Sequence, residues 1–126
     1  QHVTVVATAL MLQRTLRVAD QMAKDDGTEV EVIDPRTIHP LDTQTILASV
    51  KKTGRLVIVH EAWKTGGSGG EIAAVVVEQG FADLKAPIIR VAPRQTPIPF
   101  SLPLEKLFIP DEASIADAVR VVLAYH

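Results

Sequence analysis

Four short runs of β-branched and aliphatic residues, separated by stretches of helical periodicity, restrict what this chain can fold into more than any other feature. The runs are Val3-Thr4-Val5-Val6-Ala7-Thr8, Val30-Glu31-Val32-Ile33-Asp34, Leu56-Val57-Ile58-Val59-His60 and Ile88-Ile89-Arg90-Val91. Strands this apolar on both faces belong in a sheet covered on both sides, not in one with a solvated face. Between them, Leu10 to about Lys24 carries Leu12, Leu16, Ala19 and Ala23 at helical spacing, which predicts an amphipathic helix with those residues inward. Asp25-Asp26-Gly27 ends it, with Gly27 suited to a left-handed cap.

The same punctuation continues along the chain. Pro35 ends the second run, and Asp42 is placed to cap a helix whose buried stripe is Ile46, Leu47 and Val50, closed by Gly54. A third helix is expected from about Glu71 to Phe81, burying Ile72, Ala73, Val76 and Val77. Prolines at 93, 97, 99, 103 and 110 predict a segment that is neither helix nor central strand. Asp111 or Ser114 caps a last helix with Ile115, Ala118, Val119, Val122 and Leu123 inward.

Strands alternating with helices give a mainly parallel sheet with right-handed crossovers, a three-layer α/β/α domain. Four buried strands fit a doubly wound order of about 2-1-3-4, whose switch point falls between the first and third strands. The crevice there is lined by the loop after Thr8 and the loop after His60.

At 126 residues, with 47% hydrophobic and 22% charged residues, the chain is one domain able to bury a core. A net charge of −2 gives no electrostatic reason to expect nucleic acid or an anionic membrane, and no apolar run is long enough to span one. The absence of cysteine removes disulfides and thiolate chemistry. Beginning at Gln1 without Met or signal peptide, residues 1–126 are expected to be a domain of a longer chain.

The loop HEAWKTGGSGGE, residues 60–71, holds four of the seven glycines and the single tryptophan. A glycine-rich turn at a helix N-terminus can cradle phosphate, but this one lacks the Lys-Ser/Thr of a P-loop, and Ile72 stands where a dinucleotide fingerprint ends in glycine. Tight turning and close packing is the better reading. His60 and Glu61 stand at a strand's carboxyl end, where α/β folds place acid–base groups. No nucleophile, second carboxylate or metal-ligand set accompanies them, and His2, His39 and His126 are scattered. No catalytic, cofactor-binding or metal residue is therefore assigned. Trp63, beside Lys64, reads as a contact residue on a rigid loop.

Three segments carry a family resemblance over nearly the whole chain: VEVIDPRTIHPL (30–41), KKTGRLVIVHEAWKTGGSGGE (51–71) and TPIPFSLPLEKLFIP (96–110). In this order and at these intervals they resemble the carboxyl-terminal domain, transketolase C-terminal-like, of the beta subunit of thiamine diphosphate-dependent 2-oxo acid dehydrogenases of the pyruvate, branched-chain and acetoin type. The resemblance implies one further antiparallel edge strand just ahead of Val3, truncated here at the N-terminus. It implies that thiamine diphosphate and Mg are held by the parent enzyme outside this domain, and that the parent decarboxylates a 2-oxo acid and reductively acylates a lipoyl group.

It also implies partners. These are the amino-terminal part of the same subunit, a second beta subunit, an alpha subunit, and the peripheral subunit-binding domain of an acyltransferase core. The expected interface residues are His60, Glu61, Trp63, Thr65, Gly66, Gly67 and Arg94, with Tyr125 and His126 meeting the peripheral domain. The implied compartment is the bacterial cytoplasm, or the mitochondrial matrix in a eukaryote. Asp34-Pro35-Arg36, Ala92-Pro93-Arg94-Gln95 and Trp63 depart from the family's usual residues and leave the 2-oxo acid unassigned. Two other readings stay open: a module sensing phosphate or nucleotide at the switch-point crevice, and the C-terminal domain of another transketolase-like enzyme.

Overall fold

The computed structural model describes all residues, Gln1–His126. Strands β1 (Val3–Ala7), β2 (Val30–Ile33), β3 (Leu56–Val59) and β4 (Ile89–Val91) alternate with helices α1 (Leu10–Asp26), α2 (Thr43–Thr53) and α3 (Ser68–Gly80). A 3-10 turn at Phe81–Asp83 precedes β4, and α4 (Leu102–Phe108) and α5 (Glu112–Ala124) follow it. The sheet runs β2-β1-β3-β4 and every pairing is parallel, with Val5 opposite both Val32 and Val57. The order and layering expected from the alternation are those observed. No antiparallel strand pairs with β2 or β4, and both edges are open.

The two faces of β1 feed two cores. Val3, Val5 and Ala7, with Val57 and Val59, pack against Met11, Val18 and Met22 of α1 and Ile115, Val119 and Val122 of α5. Val6, Leu56 and Ile58 point the other way, into Ile46 and Val50 of α2 and Ile72 and Val76 of α3. That alternation is the period-2 geometry of a strand carried into packing. Thr4, fully buried on the α2 side, keeps its hydroxyl paired with Ser49 Oγ at 2.6 Å and Thr53 Oγ1 at 2.8 Å. Ser49 also donates to Glu31 Oε2 at 2.7 Å, so the polar position is satisfied rather than stranded.

Four expectations need correction. The buried stripe of α1 is Met11, Thr15, Val18 and Met22; Leu16 and Ala23 are exposed, and Leu12 and Ala19 half-buried. Helical spacing sets the period but not the phase, and the sheet and α5 select the stripe one residue earlier. Val77 is 45% exposed, on the open groove it shares with Phe81 and Tyr125, while Ile72 and Val76 take the buried side of α3. The third helix starts at Ser68, not Glu71, since Gly69 and Gly70 already lie in its first turn. The proline segment does contain a helix. Pro103 sits in the first turn of α4, where its missing N–H has no intrahelical acceptor to lose.

Capping follows the sequence. Asp42 accepts from the Thr45 N–H at 3.1 Å and Asp111 from the Ser114 N–H at 2.8 Å, while Gly27 and Gly54 take left-handed conformations at the ends of α1 and α2. Of the two candidates for α5, Asp111 is the residue that caps it, with Ser114 as its donor.

Candidate functional site

Every strand-to-helix loop of a parallel sheet opens at the carboxyl edge, and the crevice at the switch point lies between the loops after β1 and β3. In this chain the crevice is bridged from within. Glu61, on the loop after β3, accepts the Leu10 N–H of the first turn of α1 at 3.2 Å. Helix α1 has no side-chain cap of its own, and Ala9 at its start adopts φ 52°, ψ −129°, a conformation far better suited to glycine. A carboxylate against a helix N-terminus supplies the acceptor and the negative charge that such an end favours. The place where a doubly wound fold ordinarily receives a ligand anion is held by the protein's own acid.

His60 follows β3 directly and is only 2% exposed. Its backbone N–H donates to Val91 O at 3.1 Å, stitching the end of β3 to the end of β4. Its Nδ1 lies 2.8 Å from Ala62 O, and a carbonyl can only accept, so Nδ1 carries the hydrogen. Nε2 is buried without a partner. Burial chiefly lowers the imidazole pKa from its ordinary 6.5; the Ala62 bond opposes this, and the positive charge of Arg90 adds to it. The imidazole is neutral at physiological pH.

The glycines of the loop answer to this ring. A Cβ on Gly69 would fall 2.3 Å from His60 Nε2, and one on Gly67 would fall 2.2 Å from Trp63 O and 2.9 Å from His60 Cε1. Gly66 has φ 75°. Helix α3 therefore starts directly on top of the imidazole, an approach only glycine permits. Arg90 donates from Nη1 to Lys64 O at 2.9 Å and fixes the outer side of the loop. Of the expected interface residues, His60 is enclosed and reaches a partner only through the loop it supports, and Gly67 is half-buried. Trp63 (40% exposed), Thr65, Gly66 and Arg94 stand at the surface, with Glu61 half-buried beside them.

Trp63 has company that periodicity did not reveal. The loop and the segment after β4 together line a hollow of about 360 Å³, with Glu61, Trp63, Gly66 and Gly67 on one side and Ile98 and Phe108 on the other. A second hollow, about 460 Å³, continues from Phe108 to Leu104, Leu107, Pro97 and Arg94. Ile98 (67%), Phe100 (105%), Leu102 (72%) and Leu107 (83%) are open to solvent, and no residue of α4 is buried. The signal was present in TPIPFSLPLEKLF, where apolar residues recur without a strand or long helix to bury them.

Tyr125 and His126 lie elsewhere. Tyr125 closes an apolar groove of about 600 Å³ with Ala73, Val77, Phe81, Leu84 and Pro87, at the amino edge of the sheet. His126 is exposed beside it in sequence. The expected interface residues therefore divide between opposite ends of the domain.

A doubly wound α/β domain, four-stranded and all-parallel, with its switch point closed by its own carboxylate, is the class these features define. The chain belongs to the family described as "Transketolase, C-terminal domain", whose model matches residues 1–115. It is 45% identical over 123 residues to the pyruvate dehydrogenase E1 component subunit beta of Rickettsia felis, covering 98% of this chain and 37% of that protein. It is 48% identical over 120 residues to the acetoin:2,6-dichlorophenolindophenol oxidoreductase subunit beta of Cupriavidus necator, covering 95% and 35% respectively. A third relative, the mitochondrial 2-oxoisovalerate dehydrogenase subunit beta of Dictyostelium discoideum, is 39% identical over 99% of this chain and 33% of its own length. Among solved structures, a split-gene transketolase described as an inactive beta4 tetramer superposes with a TM-score of 0.82 at 25% identity, over 98% of this chain and 39% of that one. The chain thus spans little more than a third of the length of these relatives.

The residues present do not fit thiamine diphosphate with its metal. The N-terminus of α1 is engaged by Glu61, that of α3 rests on His60, and no group of three or more His, Asp or Glu side chains converges. No helix is long and apolar enough to cross a membrane.

Proposed function

We propose that this domain is the assembly and subunit-interface domain of the beta subunit of a thiamine diphosphate-dependent 2-oxo acid dehydrogenase, the decarboxylating component of a 2-oxo acid dehydrogenase complex. The observation that carries the reading is the 45% identity, over 98% of the chain, to a pyruvate dehydrogenase E1 beta subunit. The acetoin and 2-oxoisovalerate relatives support the same enzyme type while leaving the 2-oxo acid open. In this reading the parent enzyme decarboxylates its 2-oxo acid on thiamine diphosphate held with Mg outside this domain, and passes the acyl group to a lipoyl carrier. The domain contributes surfaces: the carboxyl edge with Trp63, Thr65 and Arg94, and the amino edge with Tyr125 and His126 for a peripheral subunit-binding domain. Its other partners are the amino-terminal part of its own subunit, a second beta subunit and an alpha subunit. The compartment is the bacterial cytoplasm, or the mitochondrial matrix in a eukaryote.

The ligand-sensing alternative finds no support in the crevice, which Glu61 bridges. The test is titration calorimetry of residues 1–126 with thiamine diphosphate and Mg. No binding heat is expected, and micromolar binding would overturn the reading.

A further inference from the structure

The loop between β3 and α3 is held shut by a neutral ring and by little else. Residues 61–67 reach other elements through two side-chain hydrogen bonds, Glu61 to the Leu10 N–H and Arg90 to Lys64 O, both at the surface. Ala62, Trp63, Lys64, Thr65 and Gly66 are exposed. The inward anchor is His60, whose ring is enclosed with its Nδ1–H on Ala62 O and its Nε2 beneath Gly69.

That enclosure suits only one protonation state. Nδ1 already carries a hydrogen, so the next proton goes to Nε2, which has no hydrogen-bond partner. There is no room for one either, since a Cβ on Gly69 would lie 2.3 Å from that nitrogen. A buried donor left unpaired is costly, and a buried unpaired charge more so. The ring also sits under the first turn of α3, an end that carries partial positive charge.

The surrounding elements offer the imidazolium no compensation. Strand β3 has no charged residue, and β4 contributes Arg90. The first turn of α3 holds Glu71, which is exposed. On the loop itself, Lys64 is exposed and the Glu61 carboxylate is spent on the N-terminus of α1. Burial, and after it the positive charge of Arg90, holds the imidazole pKa below its ordinary 6.5 against the Ala62 bond.

We propose that residues 60–67 form an acid-released latch: protonation of His60 at Nε2 drives the ring from beneath Gly69, and the departing loop withdraws Glu61 from the N-terminus of α1. Once in water the imidazolium is hydrated and has the Glu61 carboxylate next to it in sequence, so the acid that served α1 gains a competing partner. Trp63 moves with the loop, and the start of α1 and the carboxyl edge change together. The opening is local, because β1 and β3 are held by the two cores and not by the loop. The latch does not depend on which enzyme carries the domain.

The experiment is amide exchange read by mass spectrometry on the full-length subunit carrying this domain, at pH 7 and pH 5, with rates corrected for the intrinsic effect of pH. His60→Asn is the comparison, since its side-chain amide still offers a donor toward Ala62 O but takes up no proton. In the wild type, exchange at residues 61–69 and at Leu10 and Met11 is expected to rise together, several-fold, on going to pH 5. The ceiling is about thirtyfold, set by an ordinary imidazole in the open loop. Protection of β1 and β3 is expected to hold, and His60→Asn to lose the pH response.

Exchange independent of pH in the wild type overturns the proposal. So does a rise shared equally by β1 and β3, which means global destabilisation. Opening of residues 61–69 without Leu10 and Met11 overturns the coupling through Glu61. The same pH response in His60→Asn assigns the switch to another group and overturns it as well. Where the variant loses protection throughout at pH 7, the wild-type profile alone decides between these outcomes.

Discussion

His60 shows how one residue can organise a loop without performing chemistry. At the end of a strand in an α/β fold it has the position of an acid–base group, yet its ring is covered by Gly67 and Gly69 and its Nε2 has no hydrogen-bond partner. Protonation would place an N–H in that apolar contact. The folded-state pKa lies below the ordinary 6.5, so the unfolded chain takes up the proton more readily. The sign follows: the stability contributed by neutral His60 is fully present above about pH 6.5 and is lost progressively as pH falls from there toward the folded-state value. Melting temperatures at pH 7 and pH 5 are expected to differ more for the wild-type chain than for His60→Asn, whatever the absolute stability of the variant. Equal pH sensitivity would contradict this account. The loop's composition announced tight packing, but nothing in the sequence said that the packed object was the histidine at its own start. The contact joins the end of β3 to the first turn of α3 and exists only once both are in place.

At the scale of elements, helix ends were legible where the cap is local and illegible where it is not. Asp42 and Asp111 lie three residues before the N–H groups they accept, and the pattern is visible in the sequence. The acceptor at the start of α1 is Glu61, 51 residues away, and no spacing rule reaches that far. Glu61→Ala should therefore remove both the acceptor and the favourable charge at the α1 N-terminus. Urea denaturation should show a loss of about 1 kcal/mol, with faster amide exchange at Leu10 and Met11. Unchanged exchange there would mean that Glu61 holds nothing. The phase of α1 follows the same logic. Two stripes one residue apart share the helical period, and only the fit against Val3, Val5 and α5 decides that Met11, Val18 and Met22 turn inward while Leu16 stays out. The small helix α4 could not be read from local rules, because a proline in its first turn looks like a breaker until the helix start is known.

On the scale of the whole molecule, the domain is finished in its middle and unfinished at its ends. Both faces of the sheet are covered, by α1 and α5 on one side and α2 and α3 on the other. The carboxyl edge leaves Trp63, Ile98, Phe100 and Leu107 open, and the amino edge leaves Val77, Phe81 and Tyr125 open. Two apolar ends on opposite sides suit a domain that meets more than one neighbour. Trp63 is the sole tryptophan and a native reporter of this state. Under the proposed assembly role, its fluorescence should be readily quenched by acrylamide in residues 1–126 alone and protected in the assembled full-length subunit. Equal quenching in both would place the tryptophan outside any contact.

By itself the sequence determined the alternation of strands and helices, the parallel order 2-1-3-4, the local caps and the family, because these depend on period, residue type and spacing along the chain. Tertiary structure alone decided which stripe of α1 is buried, that Glu61 closes the switch point, that His60 is the floor beneath the glycines, and that Trp63 shares a surface with Ile98 and Leu107. Each of these is a contact between residues distant in sequence or a choice between equivalent phases. Such contacts take shape only when the sheet brings the loops after β1, β3 and β4 together at one edge.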